Sequence, residues 1–249
     1  MSLGSRYSDY DKFAWIYNKH WGDRFVQRAL PVLEKLALPF IQHNTDILDL
    51  CCGTGQLAQI LTERGYHVTG LDGSEEMLKF ARKNAPNAKF ILDDARTFKL
   101  PAMFNLVISM YDSLNHIMTY EELTTAFLNA HAALREEGLF LFDLNLEHGY
   151  KTNWDGSRGI AEDDHVCVFQ MSYSPEEQTA RLDATIFRLE DNWQRSDFTL
   201  IQKCYSKSEV QSALETAGFI DINAYAYDRQ LGWMDLTKES DRAFFLCRK

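Results

Sequence analysis

Between residues 47 and 144 short apolar runs alternate with amphipathic stretches. Ile47-Leu48-Asp49-Leu50 reads as a short buried strand that ends in a glycine turn. Gln56 to Arg64 then sets Leu57, Ile60 and Leu61 at helical spacing and stops at Gly65. His67 to Leu71 is the next strand. Ser74 caps a second helix whose first turn holds Glu75 and Glu76, favourable at a positive helix end, and which stops near Pro86. Ala88 to Leu92 and Phe104 to Met110 are the third and fourth strands. Thr119 with Glu122 forms a capping-box pattern for a long helix ending at Gly138, and Leu139 to Leu144 is a fifth strand. Strand-helix alternation with short loops predicts a parallel sheet with helices on both faces.

The flanks have other patterns. Residues 5 to 22 carry Tyr7, Tyr10, Phe13, Trp15, Tyr17 and Trp21, followed by an amphipathic stretch from Arg24 to Leu38 that Pro31 interrupts. Residues 145 to 205 give three extended segments, His165 to Tyr173, Thr179 to Glu190 and Asp197 to Cys204, with turns at Ser174-Pro175 and Asp191-Asn192. They read as an antiparallel meander inserted before the next helix. Ser206 and Glu209 open that helix, Gly218 closes it, and Phe219 to Tyr227 and Arg242 to Cys247 are the last two strands. The expected fold is α/β, a doubly wound seven-stranded sheet forming one domain. Residues 1–40 form an N-terminal lid with helices, 45–145 the core, 146–205 an inserted β cap, and 206–249 the closing helix and strand pair.

Composition narrows the function. The chain has 249 residues, 45% of them hydrophobic, and a formal net charge of −10. An acidic balance disfavours a nucleic-acid partner, because phosphate contacts need a basic face. Neither an apolar run of about 18 residues nor a signal-peptide core is present, so a cytoplasmic protein without a membrane partner is expected. The five cysteines lack Cys-x-x-Cys spacing, and no His/carboxylate cluster has ligand spacing, so no metal is expected.

The segment Asp49-Leu50-Cys51-Cys52-Gly53-Thr54-Gly55 brings an acid, a tight turn of small residues and a helix N-terminus together. It resembles motif I of class I S-adenosylmethionine-dependent methyltransferases, acidic-x-Gly-x-Gly-x-Gly, with Cys51 in place of the first glycine. A Cβ there strains a left-handed backbone. Gly53 to Ala58 also spells Gly-x-Gly-x-x-Ala, the dinucleotide fingerprint. Asp49 beside the turn suits an ammonium better than a pyrophosphate.

Asp72 ends the second strand, where a carboxylate can take both hydrogens of a ribose diol, in NAD and S-adenosylmethionine sites alike. In the methyltransferase pattern Gly73 and Met77 accompany it, Asp94 accepts from the adenine amino group, and the Ala95 N–H meets the ring. Three such sites at the carboxyl ends of successive strands converge on one crevice.

The fourth strand runs into Met110-Tyr111-Asp112-Ser113-Leu114-Asn115-His116. This lacks the Asn/Asp-Pro-Pro-Tyr/Phe of base-methylating enzymes and resembles bacterial small-molecule methyltransferases, including amino-sugar N-methyltransferases. The resemblance sets Met110 along the cofactor and Tyr111, Asp112 and His116 near the acceptor. Asp11 to Asn18 resembles the Phe-Ala-x-x-Tyr-Asp opening of the same enzymes, with Asn18 for the usual Asp. There Tyr17 belongs to a segment that folds over the cofactor, and Arg24 is set to meet the methionine carboxylate. Tyr150, Trp154, Tyr173 and His165 line a pocket or fill a small core.

The expectation is methyl transfer from S-adenosylmethionine to a small-molecule amine or hydroxyl. An amine needs only to arrive neutral, whereas a hydroxyl needs a base, for which Asp112 and His116 are the candidates. An NAD-dependent oxidoreductase and a catalytically silent S-adenosylmethionine-binding module stand as the alternatives.

Overall fold

Side-chain alternation along the strands explains the layering. A computed structural model describes residues 8–228 and 232–249, so Tyr7 lies outside the described residues. Strands β1 (Asp46–Leu50), β2 (His67–Asp72), β3 (Lys89–Leu92), β4 (Phe104–Ser109) and β5 (Leu134–Asn145) are parallel. Leu48, Leu50, Val107, Phe140 and Phe142 point to one face and pack on helices α5 (Tyr120–Ala133) and α7 (Lys207–Thr216). Their neighbours Ile47, Leu106, Ile108, Leu139 and Leu141 point to the other, against α2 (Gly22–Leu36) and α3 (Gln56–Glu63). Burial on both faces makes these strands read as near-continuous apolar runs. Helix α4 (Glu75–Asn84) is capped by Ser74, whose hydroxyl accepts from the Met77 N–H at 3.1 Å.

The sheet has eight strands, not the expected seven, ordered β11-β10-β12-β5-β4-β1-β2-β3. Strands β10 (Ile220–Asp228) and β12 (Arg242–Arg248) match the predicted closing pair, and β11 (Gly232–Asp235) extends it. Four residues are too few to carry a period-2 signal. Strand order reverses between β1 and β4, which opens a crevice at their carboxyl ends.

Two helix boundaries differ from the sequence reading. Helix α2 continues through Pro31. Val26, Ala29, Val32, Leu33 and Leu36 are buried along one stripe, while Gln27, whose carbonyl loses its N–H partner to the proline, is exposed to water. Helix α5 ends at Ala133 rather than Gly138, because fully buried Leu134 turns into β5 opposite Phe104.

Between β5 and α7 lie α6 (Glu147–Asn153) and a second sheet, ordered β6-β7-β8-β9 and antiparallel throughout. Its strands are β6 (Gly156–Glu162), β7 (His165–Ser174), β8 (Thr179–Leu189) and β9 (Trp193–Lys203). The meander thus has four strands where three were expected. Strand β6 shows almost no buried alternation, which hid it from the pattern.

Helix α1 (Ser8–His20) joins the two sheets. Asp11 accepts from the Ser74 hydroxyl at 2.5 Å, and Asn18 Oδ1 accepts from Gln56 Nε2 at 3.0 Å and Asn84 Nδ2 at 2.7 Å. An acceptor that takes two amide donors needs no charge, so an uncharged Asn18 suffices at this position. On its opposite side, fully buried Ile16 packs with Cys167, Phe169, Ala184, Ile186, Phe198 and Leu200 of the cap. Ile16→Ala is therefore expected to lower stability by about 2–5 kcal/mol, read as a lower urea midpoint. An unchanged midpoint would show that α1 merely rests on the cap.

Candidate active site

The crevice and the inner face of the cap enclose a cavity of about 690 Å³. Its floor is the turn after β1. Cys51, Gly53 and Gly55 have φ of 62°, 55° and 81°, so Cys51 does hold the strained left-handed conformation. A Cβ at Gly55 would lie 2.8 Å from the Ala81 Cα, so α4 seats directly on this turn. A Cβ at Gly53 would meet the Tyr17 ring at 3.6 Å.

Two carboxyls back this floor. Asp72 accepts from the Gly53 N–H at 2.8 Å and the Ser74 N–H at 2.9 Å. Burial nonetheless pushes it up to about 6. Asp49 is 3% exposed, and burial, then the charge of Asp72, pushes it up to about 8. Its Oδ2 has no hydrogen-bond partner, the one carboxylate oxygen in that condition among the described residues. A buried acceptor without a donor is costly, and a cationic N–H group beside it removes that cost.

Of the predicted cofactor residues, Tyr17, Arg24, Cys51, Gly53, Asp72 and Gly73 line the cavity. So do Met77, Asp94 and Ala95. Four predicted residues stand behind the wall. Asp49 is one; Thr54 is fully buried and donates to Gln56 Oε1 at 2.6 Å. Gly55 caps α3, and Met110 is packed in the core. Asp94 carries a partner that sequence reasoning missed: Arg96 Nε donates to its two oxygens at 2.9 and 3.0 Å, and Arg96 also reaches Glu122.

The acceptor candidates Tyr111, Asp112 and His116 all face the cavity. Tyr111 and Asp112 are consecutive left-handed residues, φ 68° and 52°. Asp143, 1% exposed on β5, holds them by accepting from the Tyr111 N–H at 2.6 Å and the Asp112 N–H at 3.1 Å. Arg242 of β12 donates to Asp143 and, at 2.6 Å, to Asp112. Burial works against its charge, but Asp143 and Asp112 together hold it protonated.

Gln202 on β9 completes the set. Its amide N donates to Asp112 Oδ2 at 2.6 Å and lies 3.0 Å from His116 Nε2. Its carbonyl accepts from the Tyr150 hydroxyl at 2.8 Å and from Asn145 Nδ2 at 3.3 Å. His116 Nδ1 is 2.8 Å from the Ile201 carbonyl, which can only accept, so Nδ1 carries the proton and Nε2 the lone pair. Burial lowers the His116 pKa and keeps the ring neutral at neutral pH, against the opposing pull of Asp112. Asp143 was legible as an acid inside the apolar run Leu139–Leu144. Gln202 and Arg242 lie 90 and 130 residues from Asp112 and carried no local signal.

Trp154 reaches the cavity, whereas Tyr150 and Tyr173 stack at 5.3 Å in a small core with Ala180 and Cys204. His165 is fully buried outside the cavity, its Nδ1 2.6 Å from Asp164 and its Nε2 2.7 Å from His20 Nε2. Among the described residues His20, Glu162 and His165 form a group with metal-ligand spacing, assembled from α1 and the cap. Such a group leaves no trace in local sequence spacing.

Known proteins supply the remaining comparison. A methyltransferase domain profile matches residues 47–138. The Bacillus subtilis (strain 168) protein YqeM is 27% identical over 209 residues, covering 82% of this chain and 83% of its own. A Streptomyces venezuelae dTDP-3-amino-3,4,6-trideoxy-alpha-D-glucopyranose N,N-dimethyltransferase is 28% identical over 179 residues, 70% of this chain and 75% of its own. The crystal structure of an S-adenosylmethionine-dependent methyltransferase from Clostridium acetobutylicum ATCC 824 shares the fold, with a TM-score of 0.71, 21% identity and coverage of 96% and 98%. Residues 47–138 thus form a methyltransferase domain, and the acid-backed glycine turn, the capped crevice and the relatives' likeness along the rest of the chain support an S-adenosylmethionine-dependent methyltransferase.

Proposed function

We propose that the cavity under the cap is where a methyl group passes to a small-molecule amine or hydroxyl. The observation that carries this reading is a pair of carboxyls at a glycine turn on the cavity floor, Asp49 buried behind it and Asp72 half-buried on the cavity wall. S-adenosylmethionine supplies, when bound, a methyl group already activated on a sulfonium. Asp72 would take its ribose hydroxyls, Asp49 its ammonium, and Arg24 its carboxylate. Asp94 and Ala95 would meet the adenine, beside Gly73 and Met77. Cys51 and Gly53 shape the approach, with Tyr17 across from them. Thr54, Gly55 and Met110 hold that floor from behind.

The protein's task is then to align the acceptor and exclude water, which can contribute on the order of 7–11 kcal/mol. For a hydroxyl acceptor His116 is the candidate base; its Nε2 lone pair takes a Gln202 N–H at 3.0 Å, which the acceptor hydroxyl would displace. Asp112 has both oxygens engaged and orients Gln202 instead. Tyr111 completes the acceptor wall. A cavity of about 690 Å³ and a net charge of −10 favour a small molecule over a nucleic acid, in a cytoplasmic setting. The Streptomyces relative is named for a dTDP-linked amino sugar, itself a small molecule. The direct test is formation of S-adenosylhomocysteine from labelled S-adenosylmethionine across an amine and hydroxyl panel. Labelling of added transfer RNA in place of every small molecule would overturn the acceptor class.

Two further outcomes follow. Asp49 is mostly protonated at neutral pH when the site is empty, and an ammonium beside it favours the ionised form. Binding must then release a proton, so affinity for S-adenosylhomocysteine is expected to rise with pH, by at most about tenfold per unit, and to level off near pH 8. Calorimetry should show the slope in the wild type and its loss in Asp49→Asn; a flat wild-type profile would remove Asp49 from the ammonium site. Arg24→Ala should weaken S-adenosylhomocysteine about tenfold and leave adenosine almost unaffected, because only the former has a carboxylate. Equal losses for both ligands would make Arg24 a plain surface charge.

A further inference from the structure

Apart from Arg158 at its margin and Gln202, the side chains that the cap strands turn into the cavity are apolar. Ile160, Phe169, Met171, Leu182 and Leu200 line it from four cap strands. The one amide among them, Gln202, has both N–H groups directed at Asp112 and His116 and both carbonyl lone pairs taken by Tyr150 and Asn145. Aromatic rings close the sides: Phe13 lies 5.5 Å from Trp21, which meets Phe169 edge-on at 5.4 Å. A polyhydroxylated acceptor against these side chains would bury hydroxyls on carbon without partners, whereas an aromatic ring would find ring-edge and aliphatic contacts.

Charge points the same way. Among the described residues the carboxylates on the cavity wall are Asp72, Asp94 and Asp112, of which only Asp112 is on the acceptor side, and it is paired with Arg242. Arg158, an exposed residue of β6, also lines the cavity. Its guanidinium has five N–H donors, and the Asn153 carbonyl takes one of them at 3.2 Å. The cap therefore presents an apolar surface with a cation at its exposed margin.

We propose that the acceptor is an aromatic small molecule bearing an anionic group, its ring under the cap and its anion on Arg158. This rests on reading the cavity as the methyl-transfer site. Arg158 sets specificity and Leu182 shapes the slot; a sugar-like polyol is disfavoured by the roof.

The test uses the full chain saturated with S-adenosylhomocysteine. It compares 1-anilinonaphthalene-8-sulfonate, the uncharged N-phenyl-1-naphthylamine, and glucosamine. The anionic dye is expected to bind saturably at one site per chain and at least fivefold more tightly than the neutral dye. Arg158→Ala should erase that preference while leaving S-adenosylhomocysteine affinity unchanged. Because Arg158 is exposed, this variant is expected to fold. Leu182→Gln, or Met171→Gln if the former unfolds on a thermal melt, should weaken both dyes at least tenfold. In turnover assays 4-hydroxybenzoate and 4-aminobenzoate should be methylated in preference to glucosamine. Dye binding indifferent to both substitutions, or preferred binding and methylation of glucosamine, would overturn the proposal. If S-adenosylhomocysteine does not bind the wild type at all, the reading of the cavity fails first and the acceptor class with it.

Discussion

One carboxylate, Asp143, governs the half of the cavity built around Tyr111 and Asp112. It is buried on the central parallel strand β5 and accepts from two consecutive backbone N–H groups and from Arg242. Those two N–H groups belong to Tyr111 and Asp112, both left-handed, a conformation that costs about 1–3 kcal/mol per residue without outside support. Taking Arg242 away would leave a buried charge short of its counterion, a loss on the order of 3–5 kcal/mol where the pair is fully buried and less here, since Arg242 is partly exposed. The pair therefore holds a strained turn in shape rather than adding surplus stability.

From that turn the order propagates outwards. Asp112 receives Arg242 on one oxygen and Gln202 on the other, and Gln202 in turn faces His116 and accepts from Tyr150. The last strand of the main sheet, the last strand of the cap and the first turn after β4 thus share one polar network. With every member satisfied, such a network fixes side chains in one arrangement. The cofactor half works by the opposite device. Asp49 and Asp72 are held high by burial, and Asp49 keeps an oxygen without a donor, so the site is poised for a cation it does not itself provide. One half is closed on itself, and the other leaves a buried carboxylate oxygen without a donor.

The N-terminal helix ties these halves together and is less detachable than a lid. Asp11 and Asn18 bind it to the helices around the glycine turn, while Ile16 is part of the cap's own core. Its aromatic residues therefore serve twice: Phe13 and Trp21 pack against the cap and also face the cavity, and Tyr17 lies over Gly53. Helix α1 and the cap therefore form one packed unit, because a shared apolar core does not divide cheaply.

What the amino-acid sequence determined by itself was everything encoded by neighbours along the chain. Apolar runs buried on both faces gave β1 to β5, capping residues such as Ser74 and Ser206 marked helix starts, and the acid-plus-glycine turn at Asp49–Gly55 announced the cofactor site. These signals are local because strand pleat, helix capping and left-handed turns are set by the residues that adopt them. Pro31 inside α2, the short β11 and the exposed β6 escaped because packing or sheet pairing overrode weak local preference. The tertiary structure alone decided what surrounds the Tyr111–His116 segment. Asp143, Gln202 and Arg242 meet at Asp112 from three distant segments, and the apolar roof exists only because β7, β8 and β9 turn alternate side chains inward. Hydrogen bonds and burial at such separations depend on topology, and no window of sequence contains them.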